Sequence, residues 1–281
     1  MALVRLRELL LRAKEGRYAV GAFSIANMEM IIGAIKAAEE LKSPAILQIA
    51  EVRLNHSPLH LIGPLMIEAA KNAKVPVAVH FDHGITLEKI EEALKIGFTS
   101  VMIDGSKNNI EGNISITQQV VKEANKYGAS VEAEIGRVGG SEDNTENIAV
   151  AYTDEKEAKK FYEETKVDAL AVAIGNAHGV YVGEPKLNFQ VLDNVNRAID
   201  VPLVLHGGSG ISAEDFKKTI TLGIRKINVA TATFNSVEEN VRRLYELNKK
   251  VNYFELHDTE IEGAYNNVKN HIEIFGSNDK M

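Results

Sequence analysis

The sequence predicts an α/β protein, a (β/α)8 TIM barrel with an extra N-terminal helix and further C-terminal helices, spanning residues 1–281 as a single domain. Three observations lead there. Short apolar runs alternate with helical patterns along the whole chain, eight times over. Runs such as Ala169-Leu-Ala-Val-Ala-Ile174 are apolar at every position, as suits parallel strands buried on both faces. The distinctive polar residues gather where these runs end. A doubly wound open sheet shares the alternation and is the second reading. No linker, charge block or low-complexity tract marks a domain boundary.

The elements follow in order. The N-terminal Met1-Ala-Leu-Val-Arg-Leu-Arg-Glu-Leu-Leu10 carries charges inside its apolar pattern, so it reads as an amphipathic helix and not as a signal peptide. Residues 18–23 read as a strand and 27–42 as a helix, which Pro44 stops. A strand at 45–50 and a helix at 59–73 come next, then a strand at 77–81 and a helix at 87–96. Residues 100–103 form the fourth strand, 111–127 a helix and 130–135 the fifth strand. The polar loop 136–147 is longer than an ordinary strand-to-helix connection. Helix 154–165 leads to strand 169–174, and the irregular stretch 175–185 to helix 189–198. Strand 203–205, helix 213–222 and strand 226–229 complete the alternation, and helices at 236–251 and 260–275 close the chain.

Composition narrows the chemistry. The formal net charge is −7, from 39 acidic and 32 basic residues, which argues against a nucleic-acid partner. No apolar run is long enough to span a bilayer, so a cytoplasmic protein without a membrane partner is the default expectation. There are no cysteines, so any metal must be held by His, Asp or Glu.

The candidate site grows from Val77-Ala-Val-His-Phe-Asp-His-Gly84. His80 and Asp82 lie two apart and share a strand face, and His83 stands where the strand breaks. His178 and His206 recur in the same setting, each after an apolar run and each followed by glycine. Asp82, His83, Asp104, Glu134, His178, His206 and Asn228 all fall at C-terminal strand ends, the rim where barrel enzymes build their sites. Three imidazoles from three strands can supply three nitrogens to zinc and leave a position open for substrate. His56, His60, His257 and His271 lie on helices or loops and are expected to be solvated. The loop Gly207-Gly-Ser-Gly210 leads into a helix, and Asn228-Val-Ala-Thr231 lies beside it. Loops after strands seven and eight are the recurrent phosphate site of these barrels.

Taken together these residues resemble the class II, zinc-dependent fructose-bisphosphate and tagatose-bisphosphate aldolases. The matching motifs are His80-Phe-Asp-His-Gly84, Val101-Met-Ile-Asp-Gly-Ser106, Val131-Glu-Ala-Glu-Ile-Gly136, Gly139-Gly-Ser-Glu-Asp143, the 175–179 segment, Leu205-His-Gly-Gly-Ser-Gly210 and Asn228-Val-Ala-Thr231. The resemblance implies that Zn2+ is held by His83, His178 and His206, with Asp104 and Glu134 as outer partners or an alternative metal site. It implies that Asp82 exchanges a proton with the C4 hydroxyl. Glu142, in the long loop, is the implied base for the C3 proton of dihydroxyacetone phosphate. Gly179, Gly207, Gly208, Ser209, Asn228, Val229, Ala230 and Thr231 are the implied cradle for that triose phosphate. The family also implies a monovalent cation (Na+ or K+) near the phosphate, and a homodimer or homotetramer.

The chemistry fits the residues. Cleaving a C3–C4 bond beside a ketone leaves an enediolate, whose charge a divalent metal stabilises as a Lewis acid. A Schiff-base lysine is the other route. The single lysine placed on a strand, Lys226, is expected at the far end of the barrel, so the metal route is preferred.

The sequence departs from the family pattern at Ser24, Val180 and Val182, and its 252–257 tail lacks the Asp-Pro-Arg associated with the distal phosphate. Arg53 and Arg137 are candidate substitutes. An aldolase for another ketose 1-phosphate lacking the C6 phosphate is therefore an alternative substrate reading. A non-catalytic barrel subunit of an aldolase complex is the alternative from another class, and the intact histidines and acids count against it.

Overall fold

The computed structural model describes residues 2–140, 150–179, 185–248 and 250–281. Eight strands, β1 (Val20–Ser24), β2 (Ala45–Ala50), β3 (Val77–Gly84), β4 (Ser100–Ile103), β5 (Ser130–Ile135), β6 (Ala169–Val172), β7 (Leu203–Leu205) and β8 (Ile224–Val229), pair in sequence order. Every pairing is parallel, and β8 closes onto β1 with Lys226 opposite Val20. The closed barrel settles the choice against the open sheet.

Among the described residues ten α-helices surround or plug it: α1 (Leu6–Gly16), α2 (Met28–Glu40), α3 (Leu59–Asn72), α4 (Leu87–Ile96), α5 (Ile110–Tyr127), α6 (Glu155–Thr165), α7 (Phe189–Ala198), α8 (Ala213–Thr221), α9 (Thr231–Leu247) and α10 (Tyr253–Phe275). Side-chain caps hold many of their starts. Asn27, Thr86, Asn109, Asp154, Asn188 and Ser212 each accept from a first-turn N–H, an arrangement worth about 1 kcal/mol apiece.

The extra N-terminal helix α1 closes the bottom of the barrel. Val4 N–H donates to Val77 O at 2.9 Å, and Val77 N–H to Ala2 O at 2.7 Å. Leu6, Leu9, Leu10 and Ala13 then pack under inward residues Val20, Ala22, Ile46, Ala78, Ala169, Ala171 and Val204. The lower interior is thus lined by apolar side chains, and the buried polar residues of the site lie above it. A separate apolar layer, outside the strands, packs them against the helices.

The boundaries differ from the sequence expectation in several places, among them these four. β3 runs on to Gly84, because a register shift between Phe81 and Gly84 absorbs the polar residues into the strand. β8 starts at Ile224, ahead of 226. Helix α9 begins at Thr231 and not at 236, since Thr231, Thr233 and Asn235 are weak helix formers that hide its first turn. Helix α10 begins at Tyr253 and not at 260, with Asn252 and Glu255 forming a capping box.

Of the histidines expected in solvent, His271 is buried and His257 is only partly exposed and paired. His271 is buried among Phe23, Phe216 and Phe275, with Nδ1 2.8 Å from the carbonyl of Asn267. His257 Nε2 lies 3.0 Å from Glu29, joining α10 to the start of α2.

Candidate active site

In a regular strand Asp82 and His83 would point to opposite faces. The irregularity in β3 changes that. His83 takes a left-handed backbone, φ 42°, a conformation that non-glycine residues adopt rarely and that accumulates at functional sites. Both side chains are buried at the upper end of the barrel, and both face the same cluster of acids and imidazoles.

Three imidazoles meet there. Ring centroids of His83 and His206 are 4.6 Å apart, those of His83 and His178 4.8 Å, and those of His178 and His206 5.9 Å. Each residue offers a nitrogen, and the three nitrogens lie within 4.8 Å of one another. Their other contacts suit metal ligands. His83 Nδ1 faces Asp104 Oδ2 at 2.9 Å, and Asp104 is itself held by Ser106 N–H and Oγ. His206 Nδ1 faces Glu134 Oε2 at 3.1 Å, and its Nε2 faces Glu132 Oε1 at 2.9 Å. A carboxylate behind an imidazole fixes the ring and raises its basicity toward a metal. The donor set therefore fits a divalent ion that accepts nitrogen ligands. Asp104 and Glu134 also form a group with His83 whose ligand atoms lie within the same spacing.

Electrostatics follow from burial. Desolvation and His83 both push the His206 pKa down, but the hydrogen bonds its ring donates to Glu132 and Glu134 outweigh them and lift it to about 9. Burial alone would raise Asp82. The charge of His83 foremost, then a hydrogen bond from His80 and the charge of Lys226, bring its carboxyl well below the usual range. Asp104, likewise raised by burial, is lowered overall by His83 and Ser106.

Asp82 is gripped by amides. Asn228 Nδ2 donates to Oδ1 and Oδ2 at 3.1 and 3.2 Å, and Gln48 Nε2 donates to Oδ2 at 3.2 Å. Gln48 also donates to Ser24 Oγ, so strands β1, β2, β3 and β8 share one network. Beneath it lies a second polar layer that the sequence reading missed in part. His80, Glu132 and Lys226 lie inside their strands and are fully buried together. His80 Nε2 is 3.6 Å from Asp82 and 3.7 Å from Glu132.

Lys226 corrects an expectation. It is not at the far end of the barrel. Its Nζ lies 2.9 Å from Glu132 Oε2, 2.7 Å from Asn228 Oδ1 and 4.0 Å from Asp82 Oδ1. Strand parity would have placed it: Lys226 and Asn228 are two apart and face the same way. An amine held as an ion pair by Glu132 is not a nucleophile, so the metal reading now stands on the imidazoles and not on the lysine's distance.

The candidate phosphate cradle lies beside the imidazoles. Gly207 has φ 62°, and a Cβ there would meet Ala177 O at 2.0 Å. Gly208 N–H is committed to Asn228 O at 3.1 Å, which ties the loop after β7 to the end of β8. Ser209 Oγ accepts from Ala232 N–H at 2.9 Å, in the first turn of α9. Asn228 and Val229 end β8, Ala230 precedes the helix and Thr231 opens it, so first-turn N–H groups lie at this loop. Gly179 follows His178, whose N–H donates to Gly139 O at 2.8 Å, joining the segments after β5 and β6. Glu142, Val180 and Val182 lie outside the described residues. Arg53 sits over the Phe234 ring at 5.5 Å, and Arg137 donates to Ser106 O at 3.3 Å.

Known proteins share this arrangement of sequence. The family described as fructose-bisphosphate aldolase class-II matches residues 4–280. The chain is 44% identical over 249 residues to a fructose-bisphosphate aldolase of Geobacillus stearothermophilus, covering 87% of this chain and 86% of that one. It is 41% identical over 254 residues to a fructose-bisphosphate aldolase of Staphylococcus aureus, covering 89% of each. The crystal structure of the YdjI aldolase from Escherichia coli K12 superposes with a TM-score of 0.89 at 36% identity, over 99% of both chains.

Proposed function

This chain belongs to the class II fructose-bisphosphate aldolase family, and from that premise we propose that it is a lyase cleaving a ketose 1,6-bisphosphate of the fructose or tagatose type, reversibly, to dihydroxyacetone phosphate and an aldehyde. The observation that carries this reading is the meeting of His83, His178 and His206 beside the buried Asp82 and the amide-rich loops after β7 and β8.

His83, His178 and His206 would hold Zn2+, with Asp104 orienting the His83 ring from behind and Glu134 beside His206 as an outer partner. The ion when bound supplies Lewis-acid polarisation of the substrate's ketone. Asp82 takes the proton of the C4 hydroxyl as the C3–C4 bond opens and returns it in the condensation direction. Asn228 and Gln48 keep its carboxylate aimed. Glu142 exchanges the C3 proton of the triose phosphate. Gly179, Gly207, Gly208, Ser209, Asn228, Val229, Ala230 and Thr231 seat its phosphate, with Na+ or K+ balancing the charge. The chain works as a single domain in a homodimer or homotetramer, in the cytoplasm. No described helix is long and apolar enough to cross a membrane.

A second reading concerns the far end of the substrate. Arg53 is stacked on Phe234 and Arg137 is turned to the Ser106 carbonyl, so both candidate partners of a distal phosphate have other engagements. This favours a ketose 1-phosphate with some other group at its end. One assay decides: fructose 1,6-bisphosphate, tagatose 1,6-bisphosphate and ketose 1-phosphates without a second phosphate are offered separately, and dihydroxyacetone phosphate is measured. Cleavage of the bisphosphates supports the first reading, cleavage of the monophosphates alone the second. No release from any of them overturns both.

A further inference from the structure

We propose that Lys226 is a positioning residue that aims the Asp82 carboxylate through Asn228, an inference that rests on the aldolase reading above. The argument starts from what an ammonium can do. It carries three donors and no acceptor. An asparagine amide has two similar ends, and nothing in its own shape decides which end faces which neighbour. Lys226 Nζ lies 2.7 Å from one end of the Asn228 amide, so that end must be the oxygen. The Nδ2 end is then turned to Asp82, where it donates to both carboxylate oxygens at 3.1 and 3.2 Å.

The same ammonium is itself fixed. It donates to Glu132 Oε1 at 3.1 Å, and Glu132 Oε2 stands 2.9 Å away. Glu132 in turn faces His206 Nε2 at 2.9 Å. Lys226 therefore ties the amide behind the acid, Asp82, to the carboxylate behind an imidazole, His206. All of these groups are buried, Lys226 and Glu132 completely. A buried ion pair is a poor device for stability, because desolvation opposes the attraction between the charges, but it sets geometry well. Without the ammonium, the Asn228 amide loses the partner that tells its ends apart. Its oxygen can then turn toward Asp82 and repel the carboxylate.

The test uses two partial reactions of the zinc-loaded enzyme. Asp82 serves the C4 hydroxyl, which cleavage needs and which C3 proton exchange of dihydroxyacetone phosphate in deuterium oxide does not. Lys226→Met is expected to keep its zinc, to keep C3 exchange within about threefold of wild type, and to lose cleavage about tenfold or more in kcat with KM little changed. A parallel fall of exchange and cleavage is the mark of general disruption and overturns the proposal, as does unchanged cleavage.

If Lys226→Met fails to fold with Glu132 left unpaired, Lys226→Met with Glu132→Gln restores charge balance, and the same ratio is read. Neutron diffraction of the wild type judges the amide without any assay. Deuterons of Asn228 on the Asp82 side are expected, and deuterons facing Lys226 overturn the inference. A wild type that cleaves no ketose phosphate refutes the aldolase reading, while the neutron result still decides this one.

Discussion

His83 Nδ1 and Asp104 Oδ2 lie 2.9 Å apart across the upper ends of β3 and β4. Asp104 cannot drift from that position, because Ser106 donates to its other oxygen through both N–H and Oγ. The carboxylate thus sets the rotation of an imidazole whose backbone is already held at φ 42°. Asp104→Ala should weaken zinc binding by about 10–100-fold, since outer carboxylates contribute on that scale. Competition against a chromophoric chelator measures it. An affinity equal to wild type would show that Asp104 does not orient a metal ligand.

Metal removal gives the second expectation. Treatment with EDTA should abolish cleavage, and added zinc should restore it. His178→Ala should not recover under the same addition, because only two of the three imidazoles remain. Metal content by atomic absorption, read beside activity, checks both. Full turnover by zinc-free protein refutes the mechanism.

Asp82→Ala removes the acid and leaves the imidazole cluster in place. It should retain zinc and lose cleavage by roughly 10²–10⁴-fold, the usual worth of a positioned proton-transfer group. The residue is buried and meets three amide hydrogen-bond contacts, from Asn228 and Gln48, which hold its carboxylate in place. Retained turnover with normal zinc content takes Asp82 out of its role.

Much of this was legible in the sequence, for a physical reason. Parallel barrel strands are buried on both faces, so they print as apolar runs such as the one from Ala169 to Ile174, and polar residues after them stand out. Parity within a strand also reads directly: Glu132 with Glu134, and His80 with Asp82, share a face. The bulge at Asp82 and His83 was not legible, because a register shift depends on β4 and leaves no pattern in β3 itself. The buried charge on Lys226 was missed because β8 was begun at 226, which made a central residue look terminal. His271 was missed since its apolar neighbours Phe23 and Phe216 come from distant parts of the chain.

Gly207→Ala probes the cradle. A side chain there faces two penalties: the backbone sits at φ 62°, and the Cβ would lie 2.0 Å from Ala177 O. The strain alone is on the order of 1–3 kcal/mol, and the backbone contact adds to it. The loop should shift away from Ala177, so KM for the phosphorylated substrate should rise more than kcat falls. Steady-state kinetics with a parallel urea titration separates the two effects. An unchanged KM in a destabilised variant would mean that the loop is structural and does not seat the phosphate.

The last expectation concerns pH and stability. Burial among Phe23, Phe216 and Phe275 lowers the His271 pKa below its ordinary 6.5, and the hydrogen bond to Asn267 only partly opposes this. The folded state therefore binds this proton less readily than the unfolded chain. As pH falls through 6.5, the unfolded state takes up the proton first, and stability drops until the folded pKa is passed. Above 6.5 the ring is neutral in both states and the effect vanishes. The contribution of one such group cannot exceed about 1.4 kcal/mol per pH unit. Urea unfolding at pH 7.5 and at pH 5, for wild type and His271→Leu, isolates it from other titrating groups. The gap between the two proteins should shift in favour of the variant at the lower pH. A gap that stays constant would place the folded pKa of His271 at its ordinary value, and the ring in water.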